Sequence, residues 1–535
     1  MLKLTMEKWV GCLLVLSCAL NSAAQEMATG YVFEDTNGNR LREATEPGVP
    51  KVQVSNGIQV AETDAEGRYE LPVGDDNVLF VIKPAGYRVP TDTNNLPQFY
   101  YIHKPKGSPT YLKYKGVAPT GQLPKSVDFA LVPQDEPDSL RMLILADPQP
   151  RGTDELYYLD KSVIEELQGN KEAWFAITLG DNVSDNLDLN RPYLQLIRKI
   201  GLPVYHIVGN HDANQDARTD EVADETFESY YGPANYSLNV GDVHLVLLDN
   251  LMFPAYSDGQ GGGAGFREDQ FQFIHNDLQW VDHDKLVVLA FHVPLAGLRD
   301  SDRQRIFKLL EPFPNRLILS GHTHVQRQYF YTEEDGWKGQ GVLHEYNVGA
   351  ASGNWNSGKM NEHGMPDATM SDGTPRGYAY ATFSGNQYVL DYQVAGRNSD
   401  HRMGIYMPKV LPDRIPHGRF NSARVYVNYY LGGEADSLWY RINEGPWTAL
   451  KRIVDYDPHY LGLLQEWDRS DTLLAGRRPS NASKSSHLWV ATLPPVHLMG
   501  DHTLEIRVKD MFGRWFTEKK AFRVASYKEI PNHQQ

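Results

Sequence analysis

The sequence predicts an α/β core that is flanked on both sides by all-β sandwich modules. In residues 136–397, short apolar runs alternate with segments of helical periodicity, which is typical of an α/β sandwich. Residues 25–135 and 398–535 contain short alternating runs between turn residues, as β-sandwiches do. A chain of 535 residues is also too long for one domain. We therefore expect a signal segment at residues 1–24, followed by three domains with these limits.

Residues 1–24 have the composition of a secretory signal. Basic residues precede a short apolar stretch, and Ser22-Ala23-Ala24 is a small-residue cleavage site. Cys12 and Cys18 are the two cysteines of the chain, so cleavage after this site leaves neither a thiol nor a disulfide. The alternative is lipoprotein processing at Cys18, and only then do we expect membrane attachment. In both cases we expect an exported protein, periplasmic or at the cell surface.

The N-terminal module contains one possible ion-binding loop. Asp35, Asn37, Asn39 and Glu46 occupy positions 1, 3, 5 and 12 of an EF-hand-like loop, which would hold Ca²⁺. However, Arg40 stands at the sixth position, where glycine is expected. The alternative, which we prefer, is a hairpin turn rich in Asp and Asn.

Periodicity places the main elements of the other two regions. In the core it predicts helices over residues 154–167, 191–200 and 268–280. In the C-terminal module, alternation predicts strands over residues 424–430, 437–442, 487–492, 502–509 and 519–524.

Five groups of potential metal ligands follow five of the apolar runs of the core. They are Asp147-Pro148-Gln149, Gly180-Asp181-Asn182-Val183-Ser184-Asp185, Gly209-Asn210-His211-Asp212, Phe291-His292-Val293-Pro294 and Gly321-His322-Thr323-His324. The ends of successive strands converge on one edge of a sheet, so ligands that are distant in sequence meet there. The pattern therefore predicts a metal centre.

The order of these groups resembles the calcineurin-like metallophosphoesterases over about residues 140–395. The family pattern runs D-x-H, G-D-x-x-x-D, G-N-H-[DE], a later lone His and G-H-x-H. Gln149 stands where the family most often has His, although some branches carry D-x-Q. With its two β modules, the chain is similar to a secreted bacterial subfamily that has N- and C-terminal β domains. The resemblance implies a calcineurin-like four-layer α/β sandwich as the core.

The resemblance also implies two divalent metal ions, bridged by Asp181. One ion would be held by Asp147, Gln149, Asp181 and His324, and the other by Asp181, Asn210, His292 and His322. Because amide and carboxylate oxygens suit Mn and Mg, we expect Mn or Mg at the Gln149 site, with Zn or Fe as choices for the other site. The alternative is that Gln149 only packs, leaving the first metal weak or absent.

His211 would face the substrate, and Asp212 would hold its ring. The implied reaction is hydrolysis of a phosphate mono- or diester through attack by metal-bound hydroxide. One alternative is a pyrophosphatase acting on nucleotide- or lipid-linked alcohols. Another is a surface binding protein with weak catalysis.

Loops near the last ligand group are candidates for substrate contact. The polar segment 349–378 follows that group closely enough to line the same cleft. Our candidates for substrate contact are Trp355, His363, Asp372, Arg376 and Tyr378, and the alternative is an ordered structural loop. The glycine-rich segment 256–265 lacks the Lys-Ser/Thr ending of a phosphate-binding loop, so we expect a mobile surface loop. For the aromatic stretch 456–467 we favour an interdomain contact over an insertion that reaches the site.

Charge limits the class of partner. A formal net charge of −16 argues against a nucleic-acid polymer, which requires a basic face. We therefore expect a phosphorylated small molecule, glycan or lipid as the substrate.

Overall fold

A computed structural model describes residues 25–254, 263–413, 423–496 and 498–526. The expected signal segment, with Cys12 and Cys18, and most of the glycine-rich segment 256–265 lie outside these ranges. None of the helices within the ranges has the length and apolar character needed to cross a bilayer.

The N-terminal region forms two four-stranded sheets, in the orders β4-β1-β8-β6 and β3-β2-β5-β7. Their strands are β1 (Glu26–Glu34), β2 (Gln53–Ser55), β3 (Val60–Glu62), β4 (Arg68–Val73), β5 (Asn77–Val81), β6 (Tyr87–Arg88), β7 (Tyr100–His103) and β8 (Phe129–Pro133). Alternate residues of β1, such as Ala28 and Val32, are buried, as a sheet with one covered face requires.

The loop between Asp35 and Glu46 is a turn held by its own side chains. The two Asp35 carboxylate oxygens accept hydrogen bonds from the backbone N–H groups of Gly38 (2.7 Å) and Arg40 (3.0 Å). The Glu46 carboxylate accepts a hydrogen bond from the Thr36 N–H at 3.0 Å. The turn interpretation thus accounts for the motif without a cation, and Ca²⁺ binding stays a prediction.

The core contains two mixed sheets, in the orders β11-β10-β9-β19-β20 and β12-β13-β14-β15-β17-β16. The strands of the core region are β9 (Ser139–Leu145), β10 (Phe175–Thr178), β11 (Val204–Tyr205), β12 (Tyr236–Val240), β13 (Val243–Leu247), β14 (Leu286–Ala290), β15 (Asn315–Ser320), β16 (Arg327–Tyr331), β17 (Leu343–Asn347), β18 (Gly358–Lys359), β19 (Gly377–Ser384) and β20 (Gln387–Val394). Within each sheet the central strands run parallel, so the carboxyl ends of β9 and β10, and of β13, β14, β15 and β17, lie at one edge of their sheet.

Helices cover the outer faces of both sheets, which gives the expected four-layer α/β sandwich. The helices of the core are α1 (Thr153–Leu159), α2 (Glu165–Leu167), α3 (Asn190–Ile197), α4 (Glu225–Tyr231), α5 (Glu268–Leu278) and α6 (Asp300–Leu310). Strand β9 shows how the layers arise. Met142 and Ile144 share one apolar core with the six-stranded sheet, whereas Leu143 and Leu145 share another with α1 and α3.

The three predicted core helices are present, and one of them is irregular. A π-helical turn over Asp160–Ile164 joins α1 to α2, so the predicted helix 154–167 runs without interruption. Single-turn π-helical insertions of this kind are often found near functional sites.

The C-terminal region forms two further sheets, in the orders β21-β23-β28-β26 and β22-β30-β29-β24-β25. Its elements are β21 (Met403–Tyr406), β22 (Val410–Pro412), β23 (Arg424–Tyr429), β24 (Ser437–Ile442), β25 (Thr448–Ala449), β26 (Lys451–Tyr456), α7 (Pro458–Asp468), β27 (Gly476–Arg477), β28 (Lys484–Thr492), β29 (Gly500–Lys509) and β30 (Trp515–Ala525). All five predicted strands are present. The aromatic stretch 456–467 is mostly helix α7, whose Tyr460 hydroxyl accepts a hydrogen bond from Asn354 of the core at 3.0 Å.

A buried polar network joins the C-terminal region to the core. His487 on β28 contacts Asp372 of the core through Nε2 (3.0 Å) and Asn428 on β23 through Nδ1 (2.7 Å). Asn428 in turn donates to the Asp372 carbonyl at 3.0 Å. The Asp372 carboxylate also accepts from the backbone N–H of Gln326 at 2.8 Å, two residues after His324. The network therefore lies directly behind the last ligand group.

Candidate metal centre

The five ligand groups meet at the carboxyl edge of the two core sheets. Each follows a strand of the core, and most of the seven proposed ligand side chains are fully buried. Five of the seven also have a left-handed backbone: Asp147 (φ 48°), Gln149 (φ 24°), Asp181 (φ 51°), His322 (φ 71°) and His324 (φ 52°). This conformation costs about 1–2 kcal/mol for a residue other than glycine, and such residues cluster at functional sites.

Four side chains converge at one end of this centre. His292 Nε2 lies 3.0 Å from Asn210 Oδ1 and 3.4 Å from Asp181 Oδ1. His322 Nδ1 lies 3.1 Å from both Asn210 Oδ1 and His292 Nε2. The ligand atoms of Asp181, His292 and His322 are all within 4.8 Å of one another. Two imidazole nitrogens, an amide oxygen and a carboxylate oxygen in this arrangement form a donor set that fits a divalent transition metal.

The second group lies beside the first and shares Asp181 with it. His324 Nε2 is 3.7 Å from Asp147 Oδ1, and Gln149 Nε2 donates to Asp181 Oδ2 at 2.7 Å. Gln149 Oε1 is buried and has no hydrogen-bond partner among the described residues. A buried amide oxygen without a partner is costly, and a cation beside it would remove that cost. The residues present therefore fit a second metal ion.

Backbone carbonyls fix the proton positions of two of the histidines. Nδ1 of His292 donates to the Leu179 carbonyl at 2.7 Å, and Nδ1 of His324 donates to the Gly353 carbonyl at 2.6 Å. A carbonyl only accepts, so Nδ1 carries a proton in both rings, and whenever a ring is neutral its lone pair lies on Nε2. In both residues Nε2 is the atom that faces the cluster, as metal-binding histidines require.

Burial and neighbouring charge shift the pKa values of the cluster. Burial raises the pKa of Asp147 to about 7. Burial also tends to raise the pKa of Asp181. The charge and the hydrogen bond of His292 outweigh this effect, so the pKa of Asp181 lies below its usual range. Burial lowers the pKa of His322 to about 3 and that of His324 to about 4, so both rings are neutral at pH 7, the form that binds metals.

His211 stands at the rim of this cluster, with its ring held by Asp185. His211 Nδ1 lies 2.9 Å from Asp185 Oδ1, and 30% of the His211 side chain is exposed. Burial lowers the pKa of His211, but the Asp185 hydrogen bond and the charges of Asp181 and Asp185 outweigh it and raise the pKa to about 8. The ring can therefore carry a proton toward the open side of the cluster.

The expectation that Asp212 holds this ring is wrong. The Asp212 carboxylate points into the fold, where it accepts hydrogen bonds from the backbone N–H groups of Asn182 (3.0 Å), Val183 (3.0 Å) and Gly209 (2.9 Å). It therefore joins the loop after β10 to the loop after β11. The sequence feature that could have identified Asp185 as a functional residue is the G-D-x-x-x-D motif, whose second aspartate follows Asp181 by four residues.

Of the five candidates for substrate contact, only Trp355 contacts the centre. Its ring stacks on the imidazole of His324, with centroids 4.2 Å apart and an interplanar angle of 22°. His363 lies on an exposed turn, with 70% of its side chain accessible and only Glu362 as an ionic neighbour among the described residues.

The other three candidates are structural. Asp372 belongs to the buried network that joins the C-terminal region to the core. Arg376 is buried and donates to the Pro366 carbonyl (2.6 Å) and to Ser162 Oγ (3.1 Å). These hydrogen bonds stabilise the segment 349–378 from its buried side. The Tyr378 hydroxyl donates to Glu166 at 2.8 Å on the helical side of the five-stranded sheet. Polar residues in a long loop look alike in sequence whether they face the cleft or the interior.

Three family models match the chain. The model of the calcineurin-like phosphoesterase itself matches residues 140–326. The models of the N-terminal and C-terminal parts of calcineurin-like phosphoesterases match residues 35–118 and 345–516. The chain belongs to the calcineurin-like phosphoesterases. Its central domain is therefore that of a metal-dependent phosphoric ester hydrolase, with the N- and C-terminal regions that accompany it in the family models.

The solved structures that match this chain are distant from it in sequence. The purple acid phosphatase PPD1 from seeds of yellow lupin (Lupinus luteus) is 12% identical, with a TM-score of 0.36, and the match covers 69% of this chain and 66% of the lupin chain. The structure of PhoD is also 12% identical, with a TM-score of 0.34 and coverage of 67% of this chain and 89% of that one. This phosphoesterase thus spans slightly less than two thirds of the lupin enzyme. A comparison with curated protein sequences gave no match.

Proposed function

We propose that this phosphoesterase is an exported two-metal hydrolase of phosphate mono- or diesters. The observation that carries the proposal is the convergence of Asp181, His292 and His322, whose ligand atoms lie within 4.8 Å of one another. Beside them are the buried Asp147–His324 pair and the unpartnered oxygen of Gln149. The family pattern implies that these donors would hold two ions and that Asp181 would contribute to both sites.

Two divalent ions in such a site neutralise the phosphoryl oxygens and supply an activated water at neutral pH. The two carboxylates of the ligand set, Asp147 and Asp181, cancel half of the positive charge that two such ions bring. The remainder attracts an anionic phosphoester, which an acidic protein of net charge −16 would otherwise repel. Because of Gln149, we infer that one site prefers Mn or Mg, and we leave Zn or Fe for the site with two imidazoles.

We infer that His211 is the proton donor for the leaving oxygen. Asp185 occupies Nδ1 of the ring, so the proton available for transfer lies on Nε2. The ring is partly exposed, which a group that reaches substrate requires. The His211 backbone N–H donates to Asp181 at 2.9 Å, so the same residue also orients the carboxylate shared by both proposed metal sites.

A binding protein without catalysis is the competing proposal. All seven ligand positions carry coordinating side chains, and the residues that orient His292 and His324 are also in place. A centre that had lost catalysis should carry at least one apolar replacement among these seven positions, and none is present. The geometry therefore favours an enzyme.

Two further expectations remain proposals. Export rests on residues 1–24, with lipoprotein processing at Cys18 as the alternative. The domain limits near residues 135 and 397 are supported by the change of sheet between β8 and β9 and between β20 and β21. The C-terminal family model begins earlier, at residue 345, so the last strands of the core are included in that model.

The proposal is tested by hydrolysis of p-nitrophenyl phosphate and bis(p-nitrophenyl) phosphate. Metal-stripped protein is assayed with Mn, Mg, Zn and Ca added back separately, and the preferred ester assigns the substrate class. His211→Ala should reduce kcat by about 10²–10⁴-fold while metal content stays at the wild-type level. No turnover of either ester with any metal, on protein shown to be folded, would contradict the proposal.

A further inference from the structure

Two guanidinium groups from different domains meet beside the metal centre. Nη2 of Arg151 in the core lies 3.4 Å from the carbonyl oxygen of Trp355. Nη2 of Arg477, on strand β27 of the C-terminal region, donates to the same oxygen. A carbonyl shared by two arginines keeps both side chains in one place without neutralising either.

This arginine pair, Arg151 and Arg477, lies on the Gln149 side of the centre. Arg151 follows Gln149 by two residues in the chain. The ring of Trp355 stacks on His324, a proposed ligand of the same metal site, with centroids 4.2 Å apart. Trp355 itself has a left-handed backbone, with φ 48°, which marks this part of the loop as constrained.

A dedicated pair of short strands holds Arg477 at this position. Strand β27 leaves the C-terminal sandwich and pairs antiparallel with β18 of the core, with Arg477 opposite Gly358. The adjacent Gly476 has φ 112°, and a Cβ atom there would lie 2.1 Å from the Gly358 carbonyl oxygen. Only glycine fits this close approach, so the sequence around Arg477 is suited to the contact.

The charges of the pair are not fully balanced by carboxylates. The Arg151 guanidinium is 3.9 Å from Glu155, which gives partial compensation. Among the residues that the structure describes, no carboxylate lies within ion-pair distance of Arg477. Burial lowers the pKa of Arg477 and the charge of Arg151 lowers it further, whereas the Glu155 carboxylate acts in the opposite direction. Such an arrangement is stabilised when an anion binds between or beside them.

We propose that Arg151 and Arg477 bind a second phosphoryl group of the substrate, beyond the ester that is cleaved. Arginine is suited to this role because its planar fork donates two parallel hydrogen bonds to phosphate oxygens. The inference rests on the proposed function and narrows it to phosphoesters that carry two phosphoryl groups. It also gives the C-terminal region a specificity role, since Arg477 reaches the site from that region.

The test compares two sugar phosphates that differ by one phosphoryl group. Glucose 1,6-bisphosphate and glucose 1-phosphate are assayed with metal-loaded full-length wild type, Arg151→Met and Arg477→Met. Arg478→Met is the matched control, because Arg478 is adjacent in sequence but pairs with Asp468 at 2.6 Å. Methionine keeps most of the aliphatic length and removes the charge.

We expect the wild type to favour the bisphosphate in kcat/KM. Each variant of the pair should reduce that preference by about tenfold or more, the loss expected for a charge-assisted contact, mainly through KM. Activity on glucose 1-phosphate should change by less than about twofold, and Arg478→Met should behave as wild type.

Three outcomes would separate the claims. An unchanged ratio in Arg477→Met, with normal turnover of both esters, overturns this inference and leaves the phosphoesterase proposal standing. Equal losses on both esters also overturn it, since they indicate a structural role. Absence of turnover in the wild type on every ester would instead refute the proposed function.

Discussion

His211 Nδ1 lies 2.9 Å from Asp185 Oδ1, although Asp212 is its neighbour in the chain. The two segments are also joined through the backbone, because the Asp185 N–H donates to the His211 carbonyl at 3.0 Å. Asp185 has a left-handed backbone, with φ 57°, and this sharp turn accompanies the approach of its carboxylate to the imidazole. One aspartate thus supports the proposed proton donor, and the other supports the loops beneath it.

Asp185→Asn should move the pH profile of catalysis. The carboxylate holds the pKa of His211 at about 8, so removing its charge lowers that pKa. A histidine that acts as an acid works below its pKa, and activity is lost as the pH rises through it. The basic limb of kcat/KM against pH should therefore move to lower pH, by about one unit. Bound metal ions lower the His211 pKa in both proteins, so the comparison is between variants at one metal loading.

The exposed Asp188→Asn, three residues further along, is the control for charge alone. A basic limb that stays in place in Asp185→Asn would show that His211 is not the acid, or that Asp185 does not set its pKa.

Asp212→Ala should act mainly by lowering the stability of the fold, and less by a direct effect on catalysis. It leaves the N–H groups of Asn182, Val183 and Gly209 without their acceptor in a buried setting. We expect a loss of about 3–5 kcal/mol in the free energy of unfolding, measured by denaturant titration. Asp185→Ala is the contrast, because that side chain is 55% exposed, and it should lose activity while keeping its stability. Equal stability of the two variants would contradict this division of roles.

Gln149→His should change which metal supports activity. The substitution replaces an amide oxygen with an imidazole nitrogen, which Zn accepts more readily than Mn or Mg does. Activity restored to the stripped variant should rise with Zn relative to Mn, by comparison with wild type. Gln149→Ala should need higher metal concentrations for half-maximal activity. Identical metal profiles in all three proteins would mean that Gln149 only packs.

His487→Ala should loosen the junction between the core and the C-terminal region. It leaves the buried Asp372 carboxylate without its imidazole partner, and breaking such a contact commonly costs about 3–5 kcal/mol when one side is charged. The Tm should fall in a thermal scan, and turnover should fall because Asp372 also holds the loop after His324. His363→Ala is the matched control, and this exposed residue should leave both Tm and kcat/KM unchanged. A stable, fully active His487→Ala would contradict the coupling.

The sequence predicted the layers and the ligand groups because both follow local rules. Short apolar runs form strands, and Asp147, Asp181 and His292 lie just after the ends of those strands. The partner of His211 depended instead on how two loops turn, which residue types do not encode. The roles of Asp372 and Arg376 depended on residues more than 100 positions away, such as His487 and Ser162. The contact of Arg477 with the core could not be predicted for the same reason, since nothing in the sequence around Arg477 indicates that it reaches the core.

Metal titration tests the two-metal centre most directly. Mn²⁺ is titrated into metal-stripped wild type and Asp181→Ala by calorimetry, with turnover of p-nitrophenyl phosphate followed at each addition. We expect two ions per chain in the wild type, with turnover appearing as the second binds, and at most one ion and no turnover in Asp181→Ala. Full turnover at one ion per chain, or an Asp181→Ala protein that binds two ions and turns over normally, would contradict the two-metal centre.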